Sequence, residues 1–397
     1  MGAPITDGND ILLFLGSSFA SARAQVTTST NWANLLTNWV QTVAPTNEYW
    51  QTIAASADGT RLAAGAGFGG SIYTSTNSGN TWFLTTAPAQ NWYSIASSSN
   101  GVKLAAVANG GGIYASTNSG GTWAPASAPS TNWYAIASSA DGNKLAAVVN
   151  GGGIYTNSGA NWTPSLAPVT SWSAIAGSAD GTKLVAAVNG SGGGIYTSSD
   201  SGGTWSQTTA PNASWSCVTC SADGTKLMAG ASPGGVYVST NSGANWAPSS
   251  APAGAYWTSI AASADASKTA VANWNPGRIY LSTKSGSTWP QTTAPSTFWF
   301  SIVSSTDGVR LAAAQYGGGI WTATAIQTNR PILLISRSGK TITVFWQALA
   351  GWTLQQNTNL LQRTNWVASS GVTNSNGTNF FTVVNPTNRL FLRLKSP

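Results

Sequence analysis

Apolar and polar positions along this chain alternate in short blocks. Trp92-Tyr93-Ser94-Ile95-Ala96 is followed by Lys103-Leu104-Ala105-Ala106-Val107, then Gly112-Ile113-Tyr114, then Trp123. Each block is bounded by Gly, Ser, Asn or Pro, which is the pattern of short strands joined by tight turns. The whole pattern then returns. Its leading tryptophan stands at Trp50, Trp92, Trp133, Trp172, Trp215, Trp257 and Trp299, with spacings of 39 to 43 residues. Four short strands in about 42 residues make one propeller blade. The spacing therefore predicts an all-β chain with a seven-bladed β-propeller over residues 26–328.

Two turns recur with the strands. The first joins strands one and two and reads Ser-Ala-Asp-Gly-Thr-Lys-Leu in most repeats. Its acid is Asp58, Asp141, Asp180, Asp223, Asp265 or Asp307, with Asn100 in the second repeat. Its cation is Arg61, Lys103, Lys144, Lys183, Lys226, Lys268 or Arg310. Asp-Gly is turn chemistry, because Asp tolerates the bend and Gly supplies positive φ. A rim of cations suggests an anion site, but the adjacent acid cancels that field. The expectation is a weak acid–cation pair inside each hairpin.

The second turn joins strands three and four. It reads Ser75-Thr76-Asn77-Ser78-Gly79-Asn80-Thr81-Trp82 in the first repeat and Ser198-Ser199-Asp200-Ser201-Gly202-Gly203-Thr204-Trp205 in the fourth. Residues 116–123, 239–246 and 282–289 follow the same plan, and the third repeat is shortened around Asn157. This turn resembles the S-x-D-x-G-x-x-W box of the BNR/Asp-box (sialidase-type) propellers, and the resemblance covers about residues 37–326. Only Asp200 keeps the aspartate; Asn77, Asn118, Asn157, Asn241 and Lys284 stand elsewhere. An Asn oxygen can still accept the backbone N–H bonds of the turn. The resemblance implies fold and a box opposite the ligand face; it does not imply catalysis.

The seventh repeat lacks that turn and runs from Gly319-Ile320-Trp321 into Gln327. A matching fourth strand lies at the other end of the chain, where Trp39-Val40-Gln41-Thr42-Val43-Ala44-Pro45 parallels Trp82-Phe83-Leu84-Thr85-Thr86-Ala87-Pro88. The N-terminal strand is expected to complete the last blade, which leaves no unpaired inner edge.

Composition narrows the chemistry. Charged residues are 7% of the chain, against about 25% in ordinary soluble proteins. Histidine is absent and Glu48 is the sole glutamate, so His-based catalysis and a Glu pair are excluded. The sialidase-like families use an arginine triad, an acid and a Tyr–Glu pair. The propeller offers Arg61, Arg278 and Arg310, two of them in the repeated hairpin. Glycoside hydrolysis needs two carboxylates across a cleft, and the hairpin and box aspartates lie on the far face. No catalytic residue, metal ligand set or cofactor site is read from the sequence. Cys217 and Cys220 fall three apart in one strand, on opposite faces, and read as buried fillers and not as a disulfide.

The ends differ from the middle. Residues 1–25 resemble a leader or signal-like segment, with the apolar run Ile11-Leu12-Leu13-Phe14-Leu15 and small residues near Ala20-Ser21-Ala22, although no cation precedes the run. The expected location is extracellular or at the cell surface. Residues 329–397 carry Arg330, Arg337, Lys340, Arg363, Arg389, Arg393 and Lys395 and no acid, so the net charge of +7 resides there. β-type runs at 332–336, 341–346, 380–384 and 390–394, with turns at Ser338-Gly339 and Asn376-Gly377, predict a small sandwich-like β-domain. It resembles C-terminal β-modules of exported bacterial proteins. An anionic surface is a candidate partner for this end, and plain solubility is the alternative. No nucleic-acid stripe is present, and no apolar run reaches the roughly 20 residues of a membrane span.

Candidate binding residues follow from departures between repeats. Most loops joining strands two and three read Asn-Gly-Gly-Gly. Phe68, Trp274 and Tyr316 break that pattern in the first, sixth and seventh repeats, which adjoin through ring closure. Arg278 lies in the sixth loop, and Glu48 lies in the turn before the first repeat. This sector either binds a ligand or docks the C-terminal domain. The seven leading tryptophans form a possible aromatic ring for sugar stacking, or else pack between blades as framework. The expected function is non-catalytic recognition of a glycan or polysaccharide. A protein-interaction scaffold is the alternative, and a degenerate glycosidase ranks last.

Overall fold

The structure, a computed structural model, describes residues 39–159, 161–275, 277–283 and 285–324. It also describes residues 11–15, 334–338, 341–347, 353–357, 367–375, 378–384 and 390–395. All regular structure among these residues is β. The chain divides into two compact units, Asn31–Ile326 and a smaller one made of Met1–Thr30 with Gln327–Pro397.

In the large unit every leading tryptophan opens the first strand of an antiparallel meander or sits within it. In the first repeat Glu48–Ala55 pairs with Leu62–Ala66, which pairs with Ile72–Ser75, which pairs with Phe83–Leu84. The same order recurs through the chain, for example Trp215–Cys220, Leu227–Ala231, Val236–Ser239 and Ala247–Pro248. The last repeat has Trp299–Ser304, Arg310–Gly318 and Ile320–Thr324, and its outer strand is Trp39–Gln41 from the N-terminal end. The repeats close into a ring through one backbone circuit. Ala57 N–H donates to Ser99 O, Ser99 to Ala140, Ala140 to Ala179, Ala179 to Ala222, Ala222 to Ala264 and Ala264 to Thr306. Thr306 N–H returns to Ala57 O, and all seven bonds measure 2.6 to 2.7 Å.

The core lies between repeats. Trp92, Ile95 and Leu104 of the second repeat pack with Ala54, Ala63 and Ile72 of the first. Trp50 and Ile53 pack in the same way with Ala312, Ala314 and Ile320 of the last. This explains the small residues of every second strand, because each must accept the next repeat's indole. A Cβ on Gly65 would meet the Trp92 Cβ at 3.0 Å. Each leading tryptophan also meets one aromatic edge-on, from Trp133–Tyr155 at 5.1 Å to Trp299–Trp321 at 6.4 Å. Such pairs add about 0.5–1.5 kcal/mol beyond area burial. The prolines before several of these tryptophans have a matching role. Trp50, Trp133, Trp172 and Trp299 donate their indole N–H to the carbonyls of Pro45, Pro129, Pro168 and Pro295.

The repeated turns hold together by side-chain caps. Asn77 and Asp200 act alike: each side-chain oxygen accepts from a serine hydroxyl (Ser75 at 3.0 Å, Ser198 at 2.7 Å) and from a backbone N–H (Thr81, Thr204, both 2.9 Å). Lys284 lies outside the described residues. In the first hairpin the expected acid–cation pair is replaced by a different arrangement. Asp58 accepts from Ser56 Oγ, Thr60 N–H and Thr60 Oγ1, and its pKa falls to about 2, chiefly through the Ser56 bond. The cations reach across to a neighbouring repeat. Lys183, Lys226 and Lys268 donate to the carbonyls of Asp223, Asp265 and Asp307, and Arg310 donates to Asp58 O at 2.6 Å across the closure. With its turn hydroxyl and amide in place, each carboxylate is satisfied locally and the long cation links repeats.

Cys217 and Cys220 are both free thiols, and burial pushes the Cys217 thiol up to about 12.

The small unit contains two antiparallel sheets. One orders Leu334–Ser338, Thr341–Gln347, Thr378–Val384 and Thr373–Ser375, with Val344 and Phe381 buried. The other orders Ile11–Leu15, Leu390–Lys395, Thr353–Asn357 and Val367–Ala368. Ile11–Leu15, the apolar run of the expected leader, pairs in full register with Leu390–Leu394. The expected turns at Gly339 and Asn376-Gly377, and the cations Arg330, Lys340, Arg363 and Arg389, lie outside the described residues.

Candidate functional site

A bulge shapes the inner side of every first strand. The register slips just after each leading tryptophan, for example between Trp50 and Thr52 and between Trp299 and Ser301. The skipped residues are Gln51, Tyr93, Tyr134, Ser173, Ser216, Thr258 and Phe300. A bulge re-aims its side chain, and all seven line one cavity of about 410 Å³ at the centre of the ring. Strict strand alternation hides this set. Its signal is the position following each tryptophan, where residue type varies while the strand around it repeats.

The cavity wall has two unlike arcs. Ser173, Ser216 and Thr258 donate to the carbonyls of Trp215, Trp257 and Trp299, at 2.7, 2.6 and 2.8 Å, and so join neighbouring repeats. The other arc holds Phe300, Gln51, Tyr93 and Tyr134. Tyr93 and Tyr134 meet at 5.1 Å, and the Tyr134 phenol pKa is raised by burial and by Tyr93. Gln51 is only 5% exposed, and its Oε1 has no hydrogen-bond partner among the described residues.

Beside this arc lies an aromatic patch. Loop residues are placed by backbone bonds to the position preceding each tryptophan. Trp274 N–H donates to Tyr256 O, and Tyr316 N–H donates to Phe298 O, both at 2.9 Å. Gly67 N–H donates to Tyr49 O, and Phe68 N–H donates to Asn91 Oδ1. Phe68 thereby holds a φ of 54°, a costly conformation for a large side chain, while remaining 67% exposed. The rings then join. Tyr49 contacts Phe68 at 5.5 Å and Tyr316 at 5.1 Å. Trp274 contacts Tyr316 at 5.3 Å, Phe298 at 4.9 Å and Phe300 at 5.9 Å. Phe300 stacks on Tyr316 at 6.0 Å. Since Trp274 and Phe300 also line the cavity, patch and cavity are continuous.

Of the residues expected from sequence, Phe68, Trp274 and Tyr316 come together. Glu48 pairs through its backbone with Gly318, beside the pair formed by Tyr49 and Tyr316, and its charge adds to burial in raising the pKa of Tyr73. The Arg278 side chain has no hydrogen-bond, ion-pair or ring partner among the described residues. The aromatic ring of Trp50, Trp92, Trp133, Trp172, Trp215, Trp257 and Trp299 is not a stacking surface, because every member is 0% exposed and held between repeats. Tyr49 and Phe298 were overlooked. They precede leading tryptophans, where most other repeats carry Asn or Ser, and that contrast is readable in the sequence.

No protein-family model and no curated protein matches the chain. Solved structures do. The β-propeller domain of Cps50 (Swd1) from Myceliophteria thermophila aligns with a TM-score of 0.60 at 12% identity, over 73% of this chain and 100% of that one. YCF48 bound to a D1 peptide aligns at 0.58 and 16% identity, over 74% and 97%. YCF48 from Cyanidioschyzon merolae aligns at 0.58 and 16%, over 73% and 99%. At such identities the likeness concerns fold alone, and with the closed circuit of repeats it identifies the large unit as a β-propeller.

Proposed function

We propose that this chain is a non-catalytic, seven-bladed propeller of the Asp-box type that recognises a protein partner through an extended peptide. The observation that carries the reading is the patch of Tyr49, Phe68, Trp274, Phe298 and Tyr316. It is partly exposed, confined to three neighbouring repeats, and set among glycine-rich loops. Large aromatic side chains with a polar edge are the usual anchors of protein interfaces, and Phe68 is kept exposed in a strained backbone conformation. One structural neighbour, YCF48, was solved with a peptide, which supports this reading over a glycan.

The carbohydrate reading retains one supporting feature, since exposed indole and phenol faces also stack on sugar rings. Peptide and glycan arrays probed with the full chain and with Phe68→Ala separate the two. Peptide binding that weakens at least tenfold in Phe68→Ala supports the proposal. Glycan binding with no peptide signal would replace it with the lectin reading.

A further inference from the structure

We propose that the aromatic patch is the seat of a proline-rich segment in the polyproline II conformation, with a lysine or arginine flanking the prolines on the Glu48 side. The inference rests on the peptide reading above and names the class of peptide that is read.

The relief of the patch is the first ground. Phe68, Tyr49 and Phe298 are exposed, whereas Tyr316 and Trp274, which join them through successive ring contacts, are half-buried. Phe300 touches both half-buried rings. Along the path Phe68, Tyr49, Tyr316, Trp274, Phe298, each ring is tilted from the next by 38° to 72°. Such a surface is notched and not a flat plate, and it suits a ridged ligand. A polyproline II helix is one, with pyrrolidine rings standing out from a thin backbone, and aromatic-lined grooves are its general receptor.

Hydrogen bonding is the second ground. The backbone N–H groups of Gly67, Phe68, Trp274 and Tyr316 already donate within the protein, and the carbonyls of Tyr49, Tyr256 and Phe298 accept three of those bonds. These loop positions therefore offer no N–H to an added strand. What remains are side-chain donors: the Trp274 indole N–H and the Tyr49 and Tyr316 hydroxyls. None of the three has a protein partner among the described residues, and none is a buried atom. The matching ligand backbone presents carbonyl acceptors and few N–H groups. Proline has a carbonyl and no N–H, and its fixed φ leaves little chain entropy to lose on docking.

Charge supplies the flank. Glu48 pairs through its backbone with Gly318, next to the pair formed by Tyr49 and Tyr316. Its carboxylate has no hydrogen-bond or ion-pair partner among the described residues. A cation beside the prolines meets that carboxylate, and an acid there is repelled.

The test follows fluorescence anisotropy of labelled peptides on the full chain. The probes are a run of prolines with an arginine at each end, the same run with a glutamate at each end, and an arginine-flanked run of alternating alanine and glycine. The arginine-flanked prolines should bind about tenfold more tightly than the alanine–glycine run, which must be ordered on docking. Trp274→Phe and Tyr316→Phe each keep a ring and delete one donor. Each should weaken the proline peptide about three- to tenfold, the worth of one net hydrogen bond. Arginine flanks should be preferred over glutamate by about threefold, against the chain's net charge of +7, and Glu48→Gln should remove that preference. Equal binding of the proline and alanine–glycine runs overturns the proposal, as does unchanged affinity in both ring variants. A preference for glutamate flanks overturns the cation. If peptide arrays yield binders that depend on Phe68 while the proline peptides do not bind, this proposal falls and the peptide reading stands. If no peptide of any kind binds, both fall.

Discussion

The two faces of the ring are built on opposite rules. On the hairpin face each repeat does the same thing: a serine and an aspartate (Asn100 in the second repeat) cap the turn, and a backbone N–H bonds to the next repeat. On the loop face the repeats disagree, and the disagreement clusters. Aromatics replace Asn, Ser or Gly in the first, sixth and seventh repeats at two positions, before the tryptophan and in the loop between strands two and three. Repetition marks what every interface between repeats requires. Departure from it marks what one sector does alone.

The largest test of this comparison concerns the repeated part. Deleting residues 37–45 removes Trp39, which packs on Trp299 at 6.1 Å, and the strand that pairs with Ile320–Thr324. It also removes the Pro45 carbonyl that holds the Trp50 indole. The cooperative thermal transition of the ring should vanish. An unchanged transition would show that the ring does not depend on this closure. Deleting residues 1–25 should leave that transition intact and expose the edge of Leu390–Lys395, read as faster hydrogen exchange there.

Single indoles sharpen the contrast. Trp172→Ala empties a fully buried site between repeats and should cost about 3–5 kcal/mol of stability in denaturant unfolding. Trp274→Ala truncates a partly exposed ring and should cost less than about 1.5 kcal/mol while weakening peptide binding at least tenfold. If the two variants lose stability equally, the division into framework and site is wrong.

The hairpin aspartates give a pH signature. Asp58, Asp141, Asp223 and Asp265 have folded pKa values near 2, below the ordinary 3.8, each lowered first by a serine hydroxyl. Because the folded values are depressed, the stabilisation is complete above the ordinary value and is lost as pH falls towards 2. The melting temperature should stay level from pH 7 to about 5 and fall between about 4 and 2. The second repeat offers the control. Asn100 makes the same turn, accepting from Ser98 Oγ at 2.8 Å and Val102 N–H at 3.0 Å. Asp180, Asp200 and Asp307 are lowered as well, so changing all seven aspartates to Asn should flatten the acid limb, and a limb that persists would assign it to other groups.

The legibility of the chain follows the same divide. The tryptophan period, the two turns and the closing strand were readable because they recur or match a recurring part. The cation partners were not, because the link runs to the next repeat, about 40 residues away, and local spacing favours the nearer acid. The pairing of Ile11–Leu15 with Leu390–Lys395 joins the two ends of the chain and has no local signal. The cavity residues were hidden by the bulge. Strict alternation would place the residue after each tryptophan on the opposite face of its strand without saying that an extra residue turns it to the axis. Phe68, Trp274 and Tyr316 are legible because they interrupt glycine runs, and Glu48 because its turn enters the first repeat beside them.

The smallest expected effect is also the most discriminating. Phe68 holds a left-handed backbone conformation that suits glycine, and its ring is mostly in solvent, touching Tyr49 at 5.5 Å and Tyr316 at 6.3 Å. If the loop existed for stability, Phe68→Gly would be neutral or harmful, since it removes ring contacts and adds freedom to the unfolded chain. If the ring is kept for binding, relief of strain should offset these losses. A left-handed non-glycine residue costs about 1–3 kcal/mol, against about 1 kcal/mol for each of the two edge contacts and less than 1 kcal/mol for unfolded-state entropy. Phe68→Gly should therefore stay within about 1 kcal/mol of the wild-type stability, while its peptide affinity drops at least tenfold. Phe68→Ala loses the same contacts and keeps the strain, so it should be less stable than Phe68→Gly by about 1 kcal/mol and bind equally poorly. A glycine variant that is destabilised but still binds would make this loop framework, and the patch would lose its most exposed member.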